Sequence, residues 1–146
     1  MSDMKAFIKL YQVKEKELDQ VQKQYNRAVD HFENEATSLY DLLKERENLE
    51  QNLSQQVTQG IKVGSIADFY NYFESVKSKE LNQQKKVHQA RVNMYKKQEQ
   101  LQEEHGELKK IDKIIENKKE QQKRLNQQLE ASFLDEIAVQ QYSRVR

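Results

Sequence analysis

Apolar and aromatic residues recur in the first part of the chain at intervals of three and four residues, with Lys, Glu, Gln and Asn between them. Counting every seventh residue from Met4, seven of eight positions are apolar or aromatic. This spacing is typical of a coiled-coil seam, and its seven-residue period predicts a left-handed supercoil. A helix is therefore predicted over about residues 5–59, with its stripe widened by Ala36, Leu43 and Val57. Its seam would contain Met4, Tyr11, Leu18, Tyr25, Phe32, Leu39, Arg46 and Leu53, and a companion series of Phe7, Lys14, Val21, Ala28, Glu35, Leu42, Leu49 and Gln56.

The same spacing returns further along the chain and predicts a second helix over about residues 66–141. Beyond Ile115 the apolar residues recur every four residues, at Leu125, Leu129, Phe133 and Ile137, so the stripe drifts around the helix. Before that point the seam would contain Ile66, Phe73, Glu80, Val87, Met94, Leu101, Leu108 and Ile115, and a companion series of Phe69, Val76, Gln83, Ala90, Lys97, Glu104, Ile111 and Lys118.

A turn at residues 60–65 separates the two patterns. Gly60 is a natural helix stop because glycine tolerates positive φ, and Gly64 follows it in a chain that has no proline. Ser65 and Asp68 have the spacing of a capping box, which predicts that the second helix starts there. The fold class predicted is all-α: a single domain over residues 1–146, in which two long helices form an antiparallel coiled-coil hairpin.

Folding the two helices on this turn predicts which residues face each other. If facing residues have numbers that sum to about 126, the apolar members of the two main series meet, and Arg46 lies beside Glu80. The pair would fix the register, since a slip would leave each charge among apolar neighbours. The same register leaves about the last 25 residues without a partner within the chain, although they include Leu134, Ala138 and Tyr142. Such a segment either binds a partner protein or frays, and we favour the partner.

Charge and composition narrow the classes of function. The 25 basic and 24 acidic residues are well mixed and give a net charge of +1, which does not favour binding to nucleic acid or to a membrane surface. The chain has no cysteine, no signal peptide and no apolar run near the ~20 residues of a membrane span, which indicates a cytoplasmic protein. His31 and Glu35 have the spacing of metal ligands, but one such pair on a polar helix is usually a solvated face. We therefore expect no enzyme activity, no metal, no cofactor and no small-molecule substrate.

An aromatic cluster follows the turn and includes Tyr70, Tyr72 and Phe73, with Val76 one turn further on. Phe73 belongs to the predicted seam, whereas Tyr70 and Tyr72 project to either side and cannot both be buried by one partner helix. Exposed aromatic clusters are common anchors of protein interfaces. The cluster therefore either binds a partner or caps the end of the hairpin, and the sequence leaves both interpretations open.

The size of the chain, its two-helix pattern and the tail Leu134-Asp135-Glu136-Ile137-Ala138 resemble the flagellar FliJ protein family of the bacterial type III export apparatus. The resemblance implies a hairpin similar to the rotor stalk of rotary ATPases. Such a stalk inserts its paired termini into the hexameric export ATPase (FliI), touches the export-gate protein FlhA and collects export chaperones. It would lie in the cytoplasm, peripheral to the membrane at the flagellar base. The stalk proteins of injectisomes are close relatives of this family.

On this basis the terminal end is expected to contact the ATPase ring through Phe133, Leu134, Asp135, Glu136 and Ile137. The export gate is expected at Tyr70, Tyr72, Phe73 and Val76. Two other classes stay open: a generic structural coiled coil, and a holdase-like chaperone that grips unfolded clients as prefoldin-type hairpins do.

Overall fold

Two α-helices form the chain in the computed structural model, which describes residues 2–60 and 62–145. The first helix, α1, spans Ser2–Gln59, and the second, α2, spans Val63–Val145. No strand occurs among the described residues, and the two helices pack against each other. The all-α helical hairpin predicted from the sequence is therefore confirmed. Residue 61 of the expected turn lies outside the described residues.

The end of α1 is set by Gly60, as its sequence position predicts. Gly60 has a φ of 84°, in the left-handed region that costs an L-residue about 1–2 kcal/mol. Its N–H donates a hydrogen bond to the carbonyl oxygen of Val57 at 3.3 Å, which satisfies one of the carbonyls left open in the last helical turn. Apart from its chain neighbours, no described residue has an atom within 4 Å of the place where a β-carbon would be, so the backbone angle and not crowding makes glycine suitable here.

The start of α2 differs from the prediction. The helix begins at Val63, and the N–H groups of Ser65 and Ile66 both donate to the carbonyl oxygen of Lys62, at 3.0 and 3.2 Å. Gly64 and Ser65 are therefore already helical, and the capping box predicted from Ser65 and Asp68 is wrong. The physical reason is that an N-cap side chain has to come from the residue before the helix, and that residue is Lys62.

The chain divides into two compact units, each of which contains a segment of both helices. Unit 1 comprises Met1–Asp19 and Gln102–Arg146, and unit 2 comprises Gln20–Leu101. The single hairpin domain over residues 1–146 stays a prediction.

In unit 2 the helices meet along the predicted seam. The buried apolar residues are Ala28 on α1 and Val76, Val87, Ala90 and Leu101 on α2. Among them only Val76 is almost completely enclosed, at 1% exposure, because two helices leave the sides of their seam open to water. Ala36 and Leu43 are half-buried beside the seam, as predicted, whereas Val57 is 57% exposed and does not widen it.

In unit 1 the seam is built around Ile111 and Ile115, which are both buried. Lys118 closes it from the side: its Nζ lies 3.8 Å from Oδ2 of Asp3 and 5.2 Å from the centre of the Phe7 ring. Past Gln122, every side chain up to Val145 is exposed except that of Ile137, which is half-buried. This part of α2 therefore has an apolar stripe that α1 does not cover.

Candidate partner-binding surfaces

The polar pair predicted in the seam of unit 2 is present. Nε of Arg46 lies 3.2 Å from Oε2 of Glu80, and the Glu80 side chain is only 9% exposed. Both atoms are buried and neither makes a hydrogen bond to a described residue, so they interact through charge alone. Such a pair adds little net stability because two charges lose their hydration, but it penalises a shift of the helices. Its role in setting the register stays a prediction.

A second polar pair lies close by, and the sequence patterns did not connect its members. The side-chain amide of Gln83 donates to the backbone carbonyl of Glu35 at 2.9 Å and to its carboxylate at 2.5 Å. Both residues are polar members of the companion series, and this is the feature of the sequence from which the pair could have been predicted. The numerical register missed the pair because a constant sum of 126 does not bring residues 35 and 83 opposite each other.

Polar residues also face each other in the seam of unit 1. Lys14 pairs with Glu17 at 3.2 Å, and the hydrogen bond to Glu17, its charge and the charge of Glu104 on α2 raise the pKa of the Lys14 amine. One carboxylate oxygen of Glu104 is buried without a hydrogen bond to a described residue. The positive charge of Lys14 therefore offsets part of the cost of placing Glu104 in the seam.

The aromatic cluster after the turn separates into exposed and buried members. Tyr70 is 63% exposed and Tyr72 is 51% exposed, whereas Phe73 is half-buried under the Lys77 amine, 5.9 Å from its ring centre. Val76 is 1% exposed, so the expectation that it contacts a partner is wrong: it packs in the seam between the helices. The two tyrosines are the members of this set with large exposed surfaces.

Tyr72 is tied to α1 by its hydroxyl group, which donates to the Glu45 carboxylate at 2.5 Å. That hydrogen bond, followed by the negative charge of Glu45, raises the pKa of the Tyr72 phenol above its usual value. The Tyr72 ring is therefore held across the two helices of unit 2, while the Tyr70 ring projects from α2.

The residues expected at the ATPase end lie together on the uncovered part of α2. Phe133 is 62% exposed and Leu134 is 63% exposed, Asp135 and Glu136 are exposed, and Ile137 is half-buried. Phe133 lies on an open face of α2 that also includes Lys119, Gln122, Lys123, Asn126, Gln127, Leu129 and Glu130. Leu125 and Leu129 continue the apolar stripe at 55% and 60% exposure. A helix face of this kind suits contact with an apolar protein surface.

An apolar row on the outer face of α2 was missed by the sequence patterns. Leu81 and Tyr95 are 59% and 55% exposed, and His88 lies midway between them in the sequence. Their seven-residue spacing places them on one face of the helix, away from the seam. The seven-residue spacing is present in the sequence, but these residues lie outside the two series that define the seam.

Two further observations bear on other kinds of site. Within residues 2–60 and 62–145, no three His, Asp or Glu side chains come together closely enough to hold a metal ion. Over the same residues, neither helix has an apolar stretch of the length and hydropathy of a membrane span.

Comparison with known proteins gives a consistent result over nearly the full chain. The family model described as "Flagellar FliJ protein" matches residues 4–146. The "Flagellar FliJ protein" of Bacillus subtilis (strain 168) is 31% identical over 136 residues, which cover 93% of this chain and 92% of that protein. No solved structure matches the chain significantly.

Proposed function

This chain belongs to the flagellar FliJ protein family, and we propose that it is a non-enzymatic component of the bacterial flagellar type III protein export apparatus. It acts as a coiled-coil stalk that binds the export ATPase ring (FliI) and the export gate (FlhA), and it helps to escort export chaperones. These partners hold it at the cytoplasmic face of the membrane at the flagellar base. The observation that carries the proposal is the apolar stripe of α2 beyond Gln122, which α1 leaves exposed.

The stripe supports contact with a ring because of its chemistry and its position. Leu125, Leu129 and Phe133 are each more than half exposed, and a contiguous exposed apolar surface is typical of a site that contacts another protein. The acidic residues Asp135 and Glu136 lie beside it and provide a polar rim. The stripe belongs to unit 1, while the tyrosines proposed for the gate belong to unit 2.

The contact with the gate is proposed for Tyr70 and Tyr72, with Phe73 in support. Tyrosine suits an interface because it buries a large rigid ring and retains a polar group at its tip. The Tyr72 ring is already ordered by its hydrogen bond to Glu45, so little conformational freedom is lost when a partner covers it.

The ATPase contact is tested by a pair of substitutions on the same helical segment. Phe133→Glu is expected to weaken binding to the purified export ATPase hexamer roughly tenfold to hundredfold, because a Phe side chain contributes about 1.5–3 kcal/mol on burial. Ala131→Glu adds the same charge on the other side of the helix and should leave binding nearly unchanged. Binding is measured by size-exclusion chromatography and fluorescence anisotropy.

The outcome separates the proposal from its rivals. If the unaltered chain neither binds the hexamer nor raises its ATPase activity, the stalk function is rejected and a generic structural coiled coil is favoured. A holdase function is supported by the exposure of Tyr70 and Leu134, at 63% each. It predicts that the chain suppresses aggregation of an unfolded client in the absence of the ATPase.

A further inference from the structure

A small apolar cavity lies between the helices of unit 2, beside the turn. Its apolar and aromatic walls come from both helices: Leu49 and Leu53 on α1, and Ile66, Phe69, Tyr70 and Phe73 on α2. Its volume is about 250 Å³, and Glu50 is the one charged residue among the described residues that line it.

The size and chemistry of the cavity restrict what it can hold. Pockets for cofactors and drug-sized molecules usually measure about 300–1,000 Å³ and contain several polar groups placed to orient the ligand. A space of 250 Å³ with apolar walls instead fits one bulky aliphatic or aromatic side chain. An apolar cavity of this kind holds ordered water poorly, so an apolar group enters it without displacing good hydrogen bonds.

The charge around the cavity indicates the character of the partner. Residues 45–77 extend one helical turn beyond the lining residues on each side, and they contain five carboxylates and three cationic side chains, at Glu45, Glu47, Glu50, Asp68 and Glu74 and at Arg46, Lys62 and Lys77. Their balance is therefore −2, whereas the whole chain has a net charge of +1. A surface that combines an apolar cavity with an excess of negative charge is complementary to a basic helix with an apolar anchor.

We infer that this cavity receives one Phe, Leu or Met side chain from a basic amphipathic helix of a partner protein. A Lys or Arg about one turn from that anchor pairs with Glu50. The inference deepens the proposed function, because it names the chemistry of the group that binds here. It rests on that function only for the assumption that this part of unit 2 binds a partner.

The cavity itself is tested first, with benzene as the probe. Methyl-labelled full-length chain is titrated with benzene and followed by NMR. The methyl signals of Leu49, Leu53 and Ile66 are expected to shift, while those of Ile111 and Ile115 in unit 1 stay in place. Uniform shifts, or none, would mean that no binding cavity is present.

The partner chemistry is tested with synthetic peptides of about 18 residues, long enough to form a helix when bound. A Lys-rich amphipathic peptide with one central Phe is compared with the same peptide carrying Ala in its place. Loss of the Phe should weaken binding roughly tenfold or more, because the buried ring is the anchor. Equal binding of the two peptides would overturn the inference.

Two matched pairs of variants place the binding at the cavity. Glu50→Lys should weaken binding of the Phe peptide about tenfold, whereas Glu47→Lys changes the net charge equally one helical turn away and should have a much smaller effect. Similar effects of both would indicate general charge attraction and would contradict the inference. Leu53→Trp fills the cavity and should block the peptide, while Val57→Trp adds the same ring at an exposed position and should not.

Failure of this inference is distinguishable from failure of the proposed function. The ATPase hexamer contact is read out through Phe133→Glu in unit 1, and the peptide contact through Glu50→Lys in unit 2. Helicity of each variant is checked by circular dichroism, and Ile66→Trp fills the cavity from α2 if Leu53→Trp unfolds. If the chain binds the peptide but not the ATPase, the stalk function is rejected and the docking cavity is supported. If it binds the ATPase but not the peptide, the docking cavity is rejected and the stalk function is supported.

Discussion

At the scale of single residues, the seam contains paired polar side chains as well as apolar ones. Glu80 and Gln83 are both buried on α2, and each meets a polar residue of α1. An apolar pair would tolerate a shift of the helices by one heptad, whereas a buried charge or amide without its partner costs about 1–3 kcal/mol or more. We therefore predict that the polar residues specify the register of a seam whose apolar residues are otherwise interchangeable.

The two glycines near the turn should respond oppositely to substitution. Gly60→Ala is expected to destabilise the fold by about 1 kcal/mol, since Gly60 has a φ of 84° and alanine is strained there. Gly64→Ala should stabilise it by roughly 0.5 kcal/mol, because Gly64 lies in the first turn of α2 with open space at its β-carbon position. Urea denaturation of both variants checks this, and a stabilising Gly60→Ala would contradict the assigned turn.

The bond between Tyr72 and Glu45 should be visible in a titration. The pKa of Tyr72 is raised from its ordinary value of 10.0 by the hydrogen bond and the charge of Glu45, so Glu45→Gln should lower it. The hydrogen-bonded pair stabilises the fold while the phenol is protonated, because the folded state holds the phenol proton more tightly than the unfolded state. The contribution of the pair is complete below pH 10.0 and is lost as the pH rises through the folded-state pKa.

The measurement is the phenolate absorbance near 295 nm as a function of pH. Since the chain has seven tyrosines, the curve for Tyr72 is taken as the difference between the unaltered chain and Tyr72→Phe. A Glu45→Gln chain with the same difference curve would show that the bond does not persist in solution.

At the scale of the helices, the periodicity predicted most of what is observed. On α2 the less exposed positions from Phe69 to Lys118 follow the predicted seam, and among them Gly106 alone lies outside the two series. The pattern predicts burial well because each helix of a two-helix interface has a single buried face, which the heptad positions define. The start of α2 could not be predicted in this way, since Ser65 and Asp68 have the spacing of a cap but local backbone bonding to Lys62 starts the helix earlier.

The exposed surfaces were harder to predict than the seam. Val76 was predicted to contact a partner although its series places it in the seam between the helices, and its 1% exposure shows that it is buried there. The cavity beside Leu53 and Phe69 depends on side-chain volumes across the seam, which periodicity does not contain. Both errors have one cause: a heptad pattern states which face is buried, and it does not state how well that face is filled.

The pairing of the helices is tested by removing the charges of the seam singly and together. Glu80→Leu alone should destabilise the fold by about 1–2 kcal/mol, because Arg46 is left in the seam without its counter-charge but is partly accessible to water. The double variant Arg46→Leu with Glu80→Leu should recover that loss, since two apolar residues replace the pair. Urea denaturation gives the free energies of unfolding.

The double variant should have a less well defined helix register, while its free energy of unfolding stays close to that of the unaltered chain. Spin labels at Gln24 and Lys97, whose side chains lie 3.4 Å apart in unit 2, would report a broader distribution of distances than in the unaltered chain. A double variant as unstable as the single one, with an unchanged distance distribution, would show that the pair stabilises the fold without setting its register.

At the scale of the whole molecule, the two proposed docking surfaces differ in chemistry and belong to different units. The surface of unit 1 is an open apolar stripe around Leu129 and Phe133. The surface of unit 2 combines a cavity with an excess of carboxylates. A stripe and an acidic cavity favour partners of different chemistry, which is what the proposed stalk function requires of the two surfaces.

The independence of the two surfaces is tested by ending the chain after Gln122. Among residues 123–145, which the structure describes, all are exposed except Ile137, so the free energy of unfolding of the rest should change by less than about 1 kcal/mol. The helical signal should fall only in proportion to the residues removed, ATPase binding should be lost, and the Phe peptide should bind unit 2 as before. If the shortened chain instead unfolds at much lower urea concentration, the segment belongs to the folded core of unit 1, and its apolar residues serve stability and not a partner.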